Sequence, residues 1–178
     1  MSAQVNIGIF VLRIVTGLLF AGHGAQKLFG WFGGKGFSSY VGVIEKMGAK
    51  PAALWAGLNA LAEFAGGLGM AVGLLTPVAS AGLVGSMVVA IAKVHWPKGI
   101  WNTKGGIEFP LLMGTVALVI GLIGPGSISL DAMLGLSLPE PETDLVLLAI
   151  TLIVSFGLVF ALSRLSSGLG WRSIFKPR

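Results

Sequence analysis

The 178-residue chain is far more apolar than a water-soluble domain: 54% of its residues are hydrophobic, 11% are charged, and the formal net charge is +5. Soluble domains carry about 25% charged residues, so the composition excludes a soluble globular protein and predicts a membrane protein with several spans. The basic residues flank apolar segments, which favours contact with membrane lipid over contact with nucleic acid. The chain has no cysteine, which excludes disulfides, thiolate metal sites and iron–sulfur clusters.

Five apolar segments are each about long enough to cross a bilayer as a helix. Between the first two, Phe37, Val41, Ile44 and Met47 recur at helical spacing, which predicts a short amphipathic helix lying at the membrane interface; an ordered loop is the alternative. We expect a single all-α membrane domain over residues 1–178. The predicted spans cover residues 5–28, 51–75, 78–95, 107–123 and 144–165, and a basic tail follows at 166–178.

The basic residues predict an orientation for these five spans. Eleven of the twelve Lys and Arg residues lie in or beside the loops and tail that five spans place on one side of the membrane. The polar loop at residues 124–143 has only acidic charges. Because cytoplasmic loops are enriched in Lys and Arg, we expect the N-terminus outside and the C-terminus in the cytoplasm.

The twelfth basic residue, Arg13, lies within the first span. A buried arginine costs about 2.5–3.5 kcal/mol at the centre of a membrane helix, so it needs a partner. From the span boundaries, Arg13 and Glu63 lie at depths that differ by about 6 Å. We therefore predict an Arg13–Glu63 ion pair. The polar stripe that carries Arg13 comprises Arg13, Thr16, Phe20, His23 and Lys27, spaced three and four residues apart.

A second group of polar residues is predicted at the cytoplasmic ends of the spans. Its members come from different segments but reach the same level: His23, Gln26, Lys27, Lys93, His95, Asn102 and Glu108. With Arg13, Asn59 and Glu63, this group could line a cavity that opens inward. A histidine beside a carboxylate is suited to proton transfer. Headgroup-solvated residues are the alternative. Only the matching depth of His23 and His95 favours haem, and no metal-ligand spacing is present.

Four stretches resemble the DoxX family of small bacterial and archaeal membrane proteins over about residues 8–124. The resemblance implies a four-helix transmembrane core, to which the fifth span and the basic tail are additions. It also implies a prokaryotic cytoplasmic membrane, and a relation to the small subunit of thiosulfate:quinone oxidoreductase. The stretches read RIVTGLLF, HGAQKLFG, LAEFAGGLGMAVGLLT and GGIEFPLL, and the signature positions are Arg13, Gly17, Gly24, Lys27, Glu63, Gly66, Gly67 and Gly73.

Two functions follow from these observations. The first is a redox-linked membrane subunit that binds a quinone in the helix bundle without a covalent cofactor, while a soluble or membrane oxidoreductase partner supplies electrons. The second is a non-enzymatic scaffold, assembly factor or small-solute carrier. We favour the first because of the family resemblance. The candidate catalytic residues are His23, Glu63 and Glu108, and the candidate ligand-binding residues are Arg13, Gln26, Lys27, Asn59, His95 and Asn102.

Overall fold

The computed structural model describes residues 1–136 and 142–167, and these ranges contain helices and no β-strand. The all-α prediction is therefore confirmed. The basic tail from residue 168 onward lies outside the described residues. The helices are α1 (Ala3–Leu28), α2 (Gly36–Lys46), α3 (Ala52–Val72), α4 (Thr76–Ala90), α5 (Glu108–Ile123), α6 (Leu130–Met133) and α7 (Glu142–Ser167), with a π-helical turn at Ile91–His95 and 3-10 turns at Trp96–Lys98 and Asn102–Lys104.

The lengths and surfaces of these helices indicate a membrane protein. Among the described residues, Ala3–Leu28 and Thr76–Lys98 are long and apolar enough to cross a bilayer, while Glu108–Ile123 and Leu145–Ser155 are shorter apolar helices. Large apolar side chains also remain uncovered on α1, where Leu18 is 55% exposed. Extended apolar surfaces of this kind are rare on soluble monomers.

Helices α1 and α3 run antiparallel and pack so closely that their backbones touch. A Cβ atom added to Gly17 would lie 2.5 Å from the carbonyl oxygen of Gly67, and a Cβ atom on Gly67 would meet the backbone of Ala21. Any side chain at these glycines would therefore push the helices apart. Small residues that allow such close approach are typical of helix pairs in membranes. This contact fixes the register of the two helices.

Helix α4 forms the centre of the remaining structure, because it contacts α3, α5 and α7. Leu83 of α4 and Ile120 of α5 are fully buried in the main apolar core. The hydroxyl of Ser80 donates a 2.7 Å hydrogen bond to the carbonyl of Ala117 across the α4–α5 contact. On another side, α7 approaches α4 at Gly85, where a Cβ atom would lie 2.5 Å from Cγ2 of Thr151.

The segment after the first predicted span forms a helix, α2, as its amphipathic pattern predicted. Its apolar side packs on the start of α3, where Ile44, Ala49 and Ala56 form a small buried cluster. Glu45 and Lys46 are exposed on the opposite side. Helix α2 is therefore anchored to α3 by apolar contacts.

The segment between α5 and α7 is more than the polar loop predicted for it. It contains α6, and Asp131 of α6 is only 4% exposed. The Asp131 carboxylate accepts hydrogen bonds from the backbone N–H groups of Leu75 and Thr76 at 2.8 and 3.0 Å, and from the Thr76 hydroxyl at 2.8 Å. These bonds satisfy donors at the start of α4 that have no helical partner. Asp131 therefore fastens α6 to the α3–α4 turn.

Arg13 lies beside the segment that leads into α6, and it is completely buried. Its Nη2 atom donates a hydrogen bond to the carbonyl of Ile128, and its guanidinium carbon lies 5.9 Å from the centre of the Phe10 ring. The negative charge of Asp131 acts on it favourably. Gly73 has a left-handed backbone, with φ 69°, and a Cβ atom there would collide with the Arg13 guanidinium.

Candidate functional site

A network of polar side chains lies near the C-terminal end of α1, where α1, α2, α3 and α4 meet. Glu63 of α3 is 1% exposed, and Lys27 of α1 lies 2.6 Å from its Oε2 atom. The Ser86 hydroxyl of α4 donates a hydrogen bond to Oε1 of the same carboxylate. The buried charge of Glu63 is therefore compensated by one cation and one hydroxyl, as a buried carboxylate requires.

Asn59 joins the ion pair to α2 and α4. Its side-chain carbonyl accepts hydrogen bonds from Lys27 at 2.9 Å and from the Tyr40 hydroxyl at 2.5 Å. Its amide nitrogen donates to Ser86 at 2.8 Å. The Lys27 ammonium also lies 4.9 Å from the centre of the Tyr40 ring. We call Lys27, Tyr40, Asn59, Glu63 and Ser86 the polar network.

The predicted Arg13–Glu63 ion pair is wrong, because Glu63 pairs with Lys27 instead. The prediction measured both depths from the ends of the spans. The contact between Gly17 and Gly67 instead places Arg13 beside the C-terminal end of α3, near Gly73. Glu63 lies ten residues before Gly73, which is about 15 Å along a helix.

One side of the polar network faces a cavity of about 270 Å³. We call it the tyrosine cavity, since Tyr40, Asn59 and Ser86 form its polar end. The remaining walls are mainly apolar and come from α2, α3, α4 and α7, with Trp55, Ile44 and residues 150–155 among them. An apolar cavity with a few grouped polar atoms is the usual form of a small-molecule site.

The other side of the polar network faces a second cavity of about 190 Å³. We call it the histidine cavity, because His23 and His95 line it together with Lys27 and Glu63. His95 Nδ1 lies 2.7 Å from the carbonyl oxygen of Gly105. Because a carbonyl oxygen only accepts, Nδ1 carries a hydrogen, and Nε2 of a neutral His95 is left as an acceptor. The ring of His23 packs against Phe109, with centres 5.7 Å apart.

Other predicted site residues lie outside both cavities. Glu108 is exposed, and its Oε2 atom accepts the backbone N–H of Asn102 at 2.8 Å, which closes the turn before α5. Gln26 donates to the carbonyl of Phe32 at 3.2 Å and lines a separate, more open surface groove of about 490 Å³. Arg13 lies near Asp131 and fourteen residues before Lys27 on α1, which is about 21 Å along a helix. The structure thus brings together His23, Lys27, Asn59, Glu63 and His95 of the predicted set.

Tyr40 and Ser86 were not among the predicted site residues. A signal for Tyr40 was present, because it lies on the apolar side of the predicted amphipathic helix and is the only tyrosine in the chain. Ser86 gave no such signal, since it lies among small residues that equally fit tight helix packing. Burial and the negative charge of Glu63 raise the pKa of the Tyr40 hydroxyl above its ordinary value. Tyr40 therefore enters the network as a neutral donor.

Several positions that suggested a family have now been placed in the structure. They lie in the contact between α1 and α3, or they form the Lys27–Glu63 pair. The DoxX family model matches residues 8–96. The chain belongs to the DoxX family. This match confirms the resemblance, although it ends before α5, whereas the resemblance extended to about residue 124. Comparison with curated proteins and with solved structures gave no match.

The matched DoxX region contains the complete polar network, from Lys27 to Ser86. It also contains both glycines of the α1–α3 contact. Helices α5, α6 and α7 lie beyond it. Membership of the DoxX family, together with the apolar helices, supports a membrane protein. The tyrosine cavity is therefore built from DoxX helices and closed on one side by α7.

Proposed function

We propose that this DoxX protein binds a quinone, or a similar lipophilic molecule with a polar ring, in the tyrosine cavity as a redox-linked membrane subunit. The observation that supports the proposal is the polar end of an otherwise apolar cavity of about 270 Å³. A cavity of about 150 Å³ accepts benzene, so this one has room for a substituted ring. An apolar tail would extend along the apolar walls.

The residues at the polar end fit a quinone oxygen. A quinone carbonyl accepts hydrogen bonds, and an asparagine amide offers two N–H donors. Among the described residues, the Asn59 amide donates one hydrogen bond, to Ser86, so its second N–H is available to a ligand oxygen. The Tyr40 hydroxyl donates its one hydrogen to Asn59, and it can serve a ligand oxygen by rotating out of that bond. Bound quinone would supply two-electron redox chemistry, and electrons would come from an oxidoreductase partner.

Tryptophan fluorescence tests binding, because Trp55 lines the tyrosine cavity. We expect decylubiquinone to quench the purified protein in detergent with a saturable component. That component should disappear in Trp55→Phe. A Gly82→Leu variant should also lose it, since Gly82 lines the cavity and its added side chain would occupy the space.

Gly8→Leu is the matched control, because a Cβ atom added there has nothing within 4 Å. It should keep the saturable quenching. Equal quenching of the wild type, Trp55→Phe and Gly82→Leu would mean that quinone only dissolves in the detergent micelle, and would contradict the proposal.

We also propose that five spans cross a prokaryotic cytoplasmic membrane, with the N-terminus outside. The positions of the basic residues support this orientation. A reporter that is active only in the cytoplasm should give signal when fused after Arg178. It should be silent when inserted near Ser127, in the segment between α5 and α6. The reverse pattern would contradict the proposed topology.

A further inference from the structure

The polar network separates the two cavities, and its members face both of them. Lys27 and Glu63 line the histidine cavity, whereas Asn59 and Ser86 line the tyrosine cavity. The Ser86–Glu63 hydrogen bond crosses from one cavity to the other. A carboxyl and a hydroxyl that are hydrogen-bonded to each other between two cavities can pass a proton from one cavity to the other.

We propose that Glu63 and Ser86 relay a proton from the histidine cavity to the polar end of the tyrosine cavity. This inference rests on the proposed function, because the tyrosine cavity holds the acceptor. The acceptor class is an oxygen anion on a bound ring, such as an enolate or phenolate. Electron transfer is not part of the relay.

The relay balances as an acid–base step. The carboxyl of protonated Glu63 donates its hydrogen to Ser86 Oγ, while the original Ser86 hydrogen passes to the ligand oxygen. One O–H bond forms on the ligand, the Glu63 O–H bond breaks, and Ser86 ends with one hydrogen, as it began. The resulting Glu63 carboxylate is held by Lys27, which lies 2.6 Å away.

The histidine cavity supplies the means to return a proton to Glu63. Imidazole exchanges protons near neutral pH, and both His23 and His95 line this cavity. Its volume of about 190 Å³ is enough for several water molecules at about 30 Å³ each. The Nδ1–H of His95 is directed to Gly105, which leaves Nε2 to exchange the proton.

The groups around Glu63 come from every helix packed on it. Helix α1 contributes His23 and Lys27, α2 contributes Tyr40, and the π-helical turn contributes His95. Buried Lys93 of that turn lines neither cavity. The α5 wall is not titratable and consists of Phe109, Pro110 and Met113.

The probe for this relay is 2-hydroxy-1,4-naphthoquinone, whose neutral and anionic forms differ in colour. Quenching of Trp55 reports whether it binds. The probe is a vinylogous carboxylic acid and is therefore an anion at neutral pH. A pH jump from neutral to acidic, below the pKa of the probe, in weakly buffered solution, then reports how fast the bound anion gains its proton. We expect Glu63→Gln and Ser86→Ala to slow this step about tenfold to a hundredfold, since positioned proton transfer contributes about 10²–10⁴-fold.

Two further variants complete the test. Ser80→Ala is the matched control, because Ser80 is another buried serine of α4 and its hydroxyl donates to Ala117 of α5, away from both cavities; it should keep the wild-type rate. His23→Ala with His95→Ala should slow protonation, and added imidazole should restore it.

These experiments distinguish failure of the proton relay from failure of the proposed quinone binding. Binding of the probe with unchanged protonation rates in Ser86→Ala and Glu63→Gln would overturn the relay alone. Failure of the probe to bind in the wild type would overturn both. If Glu63→Gln does not fold, Ser86→Ala still decides, since it retains the ion pair.

Discussion

Helix α1 carries two cations, Arg13 near its middle and Lys27 near its C-terminal end, and the two ends of the bundle that they face are built differently. Arg13 is fully enclosed, bonds to the backbone of Ile128 and lies near Asp131, with neither cavity beside it. Lys27 is 24% exposed and pairs with Glu63 between two cavities. A buried charge therefore does not by itself mark a site. At the Arg13 end it fastens a loop, and at the Lys27 end it borders space that a ligand can enter.

The largest expected effect is at the closed end, with Gly73→Ala. An alanine would have to adopt the left-handed backbone, at about 1–2 kcal/mol, and its Cβ atom would collide with Arg13. Overpacking adds about 1–3 kcal/mol, so we expect a loss of about 2–5 kcal/mol in the free energy of unfolding. Thermal melts in detergent would measure it. Gly8→Ala is the control, and a Gly73→Ala protein as stable as that control would contradict the description of this end.

Asp131→Ala should be the next most damaging change. It removes the acceptor for three hydrogen bonds at the start of α4. Leu75 is 49% exposed, so water can replace part of what is lost, and we expect a total loss of about 1–3 kcal/mol. The melting temperature should fall, and the affinity for decylubiquinone should stay unchanged. A loss of affinity in protein that remains folded would mean that the two ends of the bundle are coupled.

At the open end, Glu63→Gln should destabilise less than these changes, because partly exposed Lys27 can turn toward water. The loss should stay below the roughly 3–5 kcal/mol that breaking a fully buried ion pair costs. The double variant Lys27→Met with Glu63→Gln should recover most of this loss while proton delivery stays slow. A double-mutant cycle on melting temperatures would test the pairing, and additive losses would show that the two side chains do not interact.

The smallest expected effect is on the pH dependence of stability, through the ionisation of Tyr40. Burial and Glu63 raise its pKa, so the folded protein holds its phenol proton above about pH 10, where an unfolded tyrosine loses it. The folded state therefore binds more protons in this range, and stability should fall as pH rises above about 10. Because Tyr40 is the only tyrosine, tyrosinate absorbance reports it alone. Glu63→Gln should lower this pKa; no change would contradict the contact with Glu63.

The sequence was sufficient to predict the long apolar helices, because apolar length and periodicity are local properties. It also predicted helix α2, and it grouped Lys27, Asn59 and Glu63, which the structure joins in the polar network. It failed on the partner of Arg13, because the register of two packed helices depends on where their glycines meet. Asp131 was likewise placed in a solvent-exposed loop, since a single acidic residue gives no sign of the backbone it will cap.

The contact between Gly17 and Gly67 has a mechanical consequence. Two backbones that touch have no side chains between them that could change rotamer, so α1 and α3 move as one body. Lys27 and Glu63, one on each helix, are thereby held at a constant separation. The tyrosine cavity has walls from α2 and α7 as well as from α3 and α4. Because α1 and α3 move together, any widening of this cavity comes from α2, α4 or α7, while the ion pair stays in place.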